Sequence, residues 1–196
     1  GNGGGGAYIK VQLAVKTGDT VELMGPLGNT FTNWKNGSYP ILVGGGVGLA
    51  PILNLKHECD SNKVDHTIII GARTGNEHFM THEPDNDIYL TSDDGKNGEK
   101  GNVMGPLERI IHEKNNPYIY ACGPEPMLEA VGKFAMSNNV PAQLSVESYM
   151  GCGIGLCQGC VVSRQNGEVK DHSYHQKYSL VCLDGPVYEA KDIHIG

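Results

Sequence analysis

From residue 39 onward, apolar residues come in short unbroken runs separated by amphipathic stretches. Ile41-Leu42-Val43-Gly44, Thr67-Ile68-Ile69-Ile70-Gly71, Asp87-Ile88-Tyr89-Leu90-Thr91, Tyr118-Ile119-Tyr120-Ala121 and Leu144-Ser145-Val146-Glu147 read as five strands. Such runs suit a parallel sheet covered on both faces. Between them, Pro51 near a helix start predicts a helix to about Glu58, since proline suits the first helical turn. Leu107 to His112 shows an amphipathic helical period, and Pro126 to Val131 opens a further helix that ends near Asn138-Asn139. This alternation predicts an α/β fold: a five-stranded parallel sheet with right-handed crossovers.

Residues 1–38 differ. Tyr8 to Leu13 fits a short helix or strand, Lys16-Thr17-Gly18-Asp19 a turn, and Thr20 to Met24 alternates like a strand until Gly25-Pro26-Leu27-Gly28 breaks it. This stretch is too short to bury a core and reads as the end of a β-rich domain. The expected organisation is therefore 1–38, 39–147 and a small module over 148–196.

That module carries the most specific pattern. Cys152, Cys157 and Cys160 stand as C-x4-C-x2-C, and Cys182 follows after 21 further residues. This is the spacing of plant-type [2Fe–2S] ferredoxins. Two irons bridged by two sulfides need four thiolates, so one short loop must bring three sulfurs around a compact core. Gly151, Gly153, Gly155 and Gly159 interleave the cysteines and let the backbone approach closely. The spacing alone leaves a structural zinc site or disulfides as alternatives. Zinc pairs usually follow C-x2-C…C-x2-C, and only one such pair occurs; the start of the chain shows no secretion signal to favour disulfides.

Composition narrows the partners. The formal net charge is −7 with no Lys/Arg cluster, which argues against nucleic acid. No apolar run approaches a membrane span. Six cysteines without a secretion signal point to a reducing cytoplasm with metal or redox use.

Ligands of open α/β sheets bind outside the carboxyl ends of the strands. Four loops there have candidate chemistry. Gly44, Gly45, Gly46, Val47 and Gly48 form a cradle before a helix N-terminus, suited to a pyrophosphate; tight strand–helix packing explains the same glycines equally well. Arg73 offers a phosphate or ribose contact, or is solvated surface. Asp93 or Asp94 can bond ribose hydroxyls, or serves an Asp-Gly turn. Cys122, Gly123 and Pro124 can line a nicotinamide ring, or Cys122 is a small buried residue before a proline-started helix.

Together these residues resemble the ferredoxin–NADP reductase superfamily, and more narrowly the electron-transfer subunits of class 1B dihydroorotate dehydrogenases. Leu23 to Phe31 is similar to that family's close of its FAD barrel, Gly44 to Pro51 to its nicotinamide-phosphate loop, and Cys122-Gly123-Pro124 to its dinucleotide loop. Glu147 to Cys160 and Cys182 to Val187 resemble its cluster segments. The resemblance implies a ferredoxin reductase-like sheet, a remnant of an N-terminal β-barrel and a C-terminal [2Fe–2S] module ligated by Cys152, Cys157, Cys160 and Cys182. It implies NAD(H) and FAD as further cofactors, with Gly4, Gly5, Gly6 and Ala7 as the flavin-pyrophosphate loop; a flexible glycine linker is the other reading of that tract. It also implies electron exchange with the FMN of a catalytic dihydroorotate dehydrogenase subunit, in a heterotetramer serving pyrimidine biosynthesis. A family motif of the Arg-x-Tyr-Ser type is absent, so most of the barrel would precede residue 1. The loop between Cys160 and Cys182 is longer than the family pattern and holds His172 and His175, read as loop residues. Cys59 is read as structural. Alternatives are another NAD(P)H-dependent ferredoxin or hydrogenase reductase subunit, a non-enzymatic zinc-binding module, and a fragment inactive alone.

Overall fold

The computed structural model describes residues 15–21, 25–165 and 177–195. The five expected strands all form: β1 (Tyr39–Gly45), β2 (Thr67–Ala72), β3 (Ile88–Ser92), β5 (Pro117–Cys122) and β6 (Ala142–Ser145). They pair in parallel in the order β3-β2-β1-β5-β6. Two short strands extend the sheet among the described residues. β4 (Glu99–Lys100) adds in parallel beside β3, and β9 (Val187–Glu189) adds antiparallel beside β6. Neither extension is legible as a hydrophobic run, because each is only two or three residues long and depends on its partner strand. The last parallel strand is earlier than the pattern suggests, ending at Ser145 with Val146 and Glu147 beyond it.

Helix α1 (Leu49–Ser61) follows a single 3-10 turn at Gly46–Gly48; α2 (Met104–Glu113) and α3 (Glu125–Ser137) complete the crossovers. Successive side chains of a strand point to opposite faces, and the core divides accordingly. Leu42, Ile68, Ile70, Leu90 and Tyr120 pack with Ile52, Leu55 and Cys59 of α1. Ile41, Val43, Ile69 and Ile119 pack with Leu107 and Ile110 of α2 and Leu128 and Val131 of α3. Cys59 is fully buried, and burial first, then Asp60, raises its thiol pKa to about 11, as suits a packing residue.

The chain leaves β1 toward β2, β3 and β4, then returns to the other side of β1 to form β5 and β6. The order therefore reverses between β1 and β5, where open α/β sheets bind ligands.

The C-terminal module forms a second, three-stranded sheet from β7 (Val161–Arg164), β8 (Tyr178–Leu180) and β10 (Ile193–His194), in the order β10-β7-β8. Through β9 it is continuous with the main sheet. Residues 28–34 run as a strap over the α1 face, where Phe31 and Trp34 pack against the core and Phe31 meets Tyr120 edge-on at 5.6 Å. Thr20 and Val21 are irregular rather than strand. Tyr8 to Leu13, Leu23, Met24 and the proposed flavin loop Gly4 to Ala7 lie outside the described residues, as do His172 and His175.

Candidate functional site

Two sites emerge, one at the carboxyl edge of the sheet and one in the module that follows it. At the edge, Gly44 of β1 is in register with Cys122 of β5 and with Ile70 of β2. The two loops at the reversal point touch: a Cβ on Gly48 would fall on the Cys122 carbonyl group and 2.5 Å from Gly123 N. A Cβ on Gly45 would lie 3.0 Å from Met127 Sδ and 3.4 Å from Pro124 Cδ. The packing reading and the binding reading are thus compatible, since these small residues let the loops close into one floor. Gly46, at φ +54°, has open space where a side chain would stand, and Val47 projects into solvent. An open glycine at the start of α1, with no side-chain cap, is a cradle that fits a nucleotide phosphate.

Cys122 is only 4 % exposed; burial raises its thiol pKa and a hydrogen bond with Ser145 partly opposes this. Its side chain belongs to the core cluster on the α1 face, with Leu42, Ile52 and Cys59. Asp94 spends its carboxylate on the loop itself. Its Oδ1 accepts from Gly75 N at 3.0 Å, Ser92 Oγ at 2.9 Å and Lys96 N at 3.1 Å. The Lys96 backbone N–H, foremost among these, lowers its pKa. Asp93, like Asp94, is solvent-exposed, and Arg73 is exposed just past the end of β2.

In the module, the four sequence-predicted cysteines gather as two pairs. Cys157 N donates to Cys152 Sγ at 3.3 Å, and Gly159 N to Cys157 Sγ at 3.4 Å. Cys182 N donates to Cys160 Sγ at 3.4 Å. Backbone N–H groups of Cys157 and Ile154, in that order, pull the Cys152 thiol down to about 6. The Cys182 pKa is raised, first by its hydrogen bond with Cys160 and then by burial, with Cys152 close enough to add a charge effect. A Cβ on Gly151 would stand 3.0 Å from Cys157 Sγ, so a side chain there would crowd that sulfur. Cys160 and Cys182 are buried while Cys157 is exposed. Among the described residues, no group of three or more His, Cys, Asp or Glu closes around a single-ion position. Two thiol pairs with N–H groups aimed at sulfur fit a dinuclear cluster of two thiolates per iron.

One group of polar residues escaped the sequence reading. Thr32 N donates to Gln143 Oε1 at 2.9 Å, and Gln143 Nε2 donates to Thr32 Oγ1 at 2.8 Å and Glu189 Oε1 at 2.9 Å. Tyr118 OH donates to the same Glu189 oxygen at 2.7 Å, and Tyr120 OH to Thr32 O at 2.9 Å. The set is scattered in sequence and meets only because Tyr120 pairs with Gln143, and Gln143 with Glu189, across three strands. Beside it lies a cavity of about 540 Å³ lined in part by Asn29, Thr32, Gln143 and Glu189. Its lining includes none of the cysteines or glycine-loop residues, so it marks the seam between strap, sheet and module.

A doubly wound sheet with a glycine cradle at its reversal point, leading into a loop of three thiols that a fourth, Cys182, joins, defines a nicotinamide-dependent iron–sulfur oxidoreductase. Residues 42–133 match the oxidoreductase NAD-binding domain, and residues 147–194 match the iron–sulfur cluster binding domain of dihydroorotate dehydrogenase B. The dihydroorotate dehydrogenase B (NAD(+)) electron transfer subunit of Caldanaerobacter subterraneus subsp. tengcongensis is 37 % identical over 179 residues, covering 91 % of this chain and 68 % of the relative. The probable counterpart in Methanocaldococcus jannaschii is 33 % identical over 185 residues, covering 93 % and 66 %. In a solved structure of an NADH-dependent reduced ferredoxin-NADP oxidoreductase, one chain superposes with a TM-score of 0.74 at 27 % identity, over 95 % of this chain and 64 % of that one. The chain belongs to the family of dihydroorotate dehydrogenase B electron transfer subunits, and spans about two thirds of the length of the curated relatives it matches.

Proposed function

We propose that this chain carries electrons between NAD(H), by way of FAD and a [2Fe–2S] cluster, and the FMN of a catalytic dihydroorotate dehydrogenase subunit. The observation that carries this reading is the two-plus-two gathering of Cys152 with Cys157 and Cys160 with Cys182, directly after the last parallel strand of a nucleotide-binding sheet. When bound, the flavin and the cluster would supply the redox chemistry, splitting the electron pair of a hydride into single electrons; the protein supplies binding, orientation and tuning.

The chain's own residues divide that task. Gly44 to Gly48 and the N-terminus of α1 hold the nucleotide phosphates. Cys122, Gly123 and Pro124 line the nicotinamide. Asp93 meets a ribose hydroxyl. Cys152, Cys157, Cys160 and Cys182 ligate the cluster, and the amides of Cys157, Gly159 and Cys182 hydrogen-bond its thiolates and so bias its potential. The Gly4 to Ala7 tract serves the flavin, on the family resemblance alone. The corresponding units are 1–38, 39–147 and 148–196.

Apolar side chains crowd the exposed side of the cysteine loop: Tyr149, Met150, Ile154, Leu156 and Leu183. Such a patch next to an electron exit suits a partner subunit in a heterotetramer. Among the described residues no helix is long and apolar enough to cross a membrane. Reduced thiols in a metal-binding arrangement fit the cytoplasm. The reading is tested by combining the purified chain with an FMN-containing partner subunit and measuring NADH formation from dihydroorotate. NADH formation that requires both subunits supports it. Reduction of ferredoxin with no dihydroorotate activity supports instead the reductase role of the solved relative, whose fold this chain shares.

A further inference from the structure

The strap that precedes the sheet does more than cover the α1 face. Asn29 reads the segment after Cys182 as a neighbouring strand would. Its backbone N–H donates to Gly185 O at 2.8 Å. Its Nδ2 donates to Asp184 O at 2.9 Å and Val187 O at 2.8 Å, and its Oδ1 accepts from Val187 N at 2.8 Å. Both side-chain donors and the acceptor are engaged with one four-residue stretch of backbone. Gly28 makes the approach feasible: at φ +76°, a Cβ there would stand 2.7 Å from Gly185 O.

The gripped stretch is the arm that returns from Cys182. On its inner side, Asp184 closes a turn around that cysteine. Its Oδ2 accepts from Ser179 Oγ at 2.7 Å and Leu180 N at 3.1 Å, and Asp184 N donates to Leu180 O at 2.8 Å. On the far side, Val146 N donates to Pro186 O at 2.9 Å, just where the chain leaves β6 for Cys152. The Cys182 arm is therefore clamped between the strap and the strand that leads to the other cysteines. Thr32, three residues on, bonds the main sheet instead.

We infer that Asn29 is a positioning residue for the cluster, its carboxamide latching the Cys182 arm to the segment that enters the sheet. The inference rests on the cluster reading above and adds to it a residue outside the cysteine motif, 153 positions from Cys182, whose arm it holds. Hydrogen bonds one step removed from a metal ligand typically alter metal retention or activity by about 10- to 100-fold. Loss of this grip frees the arm to swing, which exposes Cys182 and its iron.

The test uses the full chain purified without oxygen, in four forms: wild type, Asn29→Ala, Asn29→Asp and Thr32→Val. The readouts are the rate of iron loss to a chelator and the electron paramagnetic resonance spectrum of the reduced protein. Asn29→Ala loses iron about tenfold faster and shows shifted g-values. Asn29→Asp behaves like it, because a carboxylate oxygen then faces the Asp184 and Val187 carbonyls; it carries the test if the alanine variant fails to fold. Thr32→Val, which loosens the strap without touching the arm, matches wild type. An intact wild-type cluster that is indifferent to both Asn29 variants, or equally sensitive to Thr32→Val, overturns the inference alone. Wild-type protein without iron and sulfide overturns the cluster reading, and the inference with it.

Discussion

The carbonyl group of Cys122 occupies the space that a side chain on Gly48 would need, which locks the β1 loop onto the β5 loop at the point where strand order reverses. Replacement of Gly48 by valine forces those loops apart. Overpacking of this kind costs about 1–3 kcal/mol, and most of it falls on the nucleotide floor. NADH affinity, measured by quenching of nicotinamide fluorescence, drops about tenfold or more, while the visible spectrum of the cluster stays as in wild type.

The cysteines separate by role. Cys160→Ser and Cys182→Ser, which each remove a buried ligand of the proposed cluster, yield protein with little iron and sulfide after anaerobic purification. Cys59→Ala retains both at wild-type levels, since Cys59 packs against Leu42 and Ile68 on the α1 face. Iron and acid-labile sulfide assays on the three variants decide this.

The opposite end of the sheet carries a pH-dependent contact. Asp87 bonds Lys114 Nζ at 2.7 Å and Thr67 Oγ1 at 3.0 Å. Burial pushes the Asp87 pKa up, but the Lys114 and Thr67 hydrogen bonds more than offset it, and the net shift is downward. A lowered folded pKa contributes stability that is present above the unfolded value of about 3.9 and is lost as pH falls through the folded value. Asp87→Asn keeps the left-handed backbone at this position (φ +58°), which asparagine tolerates. The variant is less stable than wild type at pH 7 by about 0.5 kcal/mol, given the partial solvent screening of the pair. The gap begins to narrow below about pH 4 and closes only once the pH has fallen below the lowered folded value. Urea titrations at the two pH values measure it.

The polar seam beneath the strap predicts a larger, pH-independent effect. Tyr118 stacks on Tyr120 at 4.8 Å, and burial followed by Glu189 raises its pKa to about 12. It is a neutral donor throughout the stable range. Tyr118→Phe removes one hydrogen bond and leaves Glu189 still held by Gln143, so the loss is about 1 kcal/mol. Thermal unfolding with the cluster intact reports it.

The parts of this molecule that were legible in the sequence are those set by local physics. Ile68-Ile69-Ile70 points to a doubly covered strand because a short run of β-branched residues suits a sheet buried on both faces, and the C-x4-C-x2-C spacing points to a cluster because it matches the plant-type ferredoxin pattern. The parts that were not legible depend on which strands become neighbours. Nothing near Gln143 in sequence shows that it will meet Glu189, and nothing near Asn29 that it will hold Asp184 and Val187. Both depend on β9 adding to the edge of the main sheet, and Val187-Tyr188-Glu189 is too short to declare itself. Asp93 and Asp94 were alike as sequence. Only the fold separates them, by giving the Asp94 carboxylate hydrogen bonds from Gly75, Ser92 and Lys96.

The central claim is that Cys152, Cys157, Cys160 and Cys182 hold a two-iron cluster. Its most direct test is the visible and electron paramagnetic resonance spectrum of anaerobically purified protein, with metals and acid-labile sulfide quantified. The account predicts a red-brown protein with about two irons and two sulfides per chain and a paramagnetic signal on one-electron reduction. A colourless protein holding one zinc and no sulfide would contradict it.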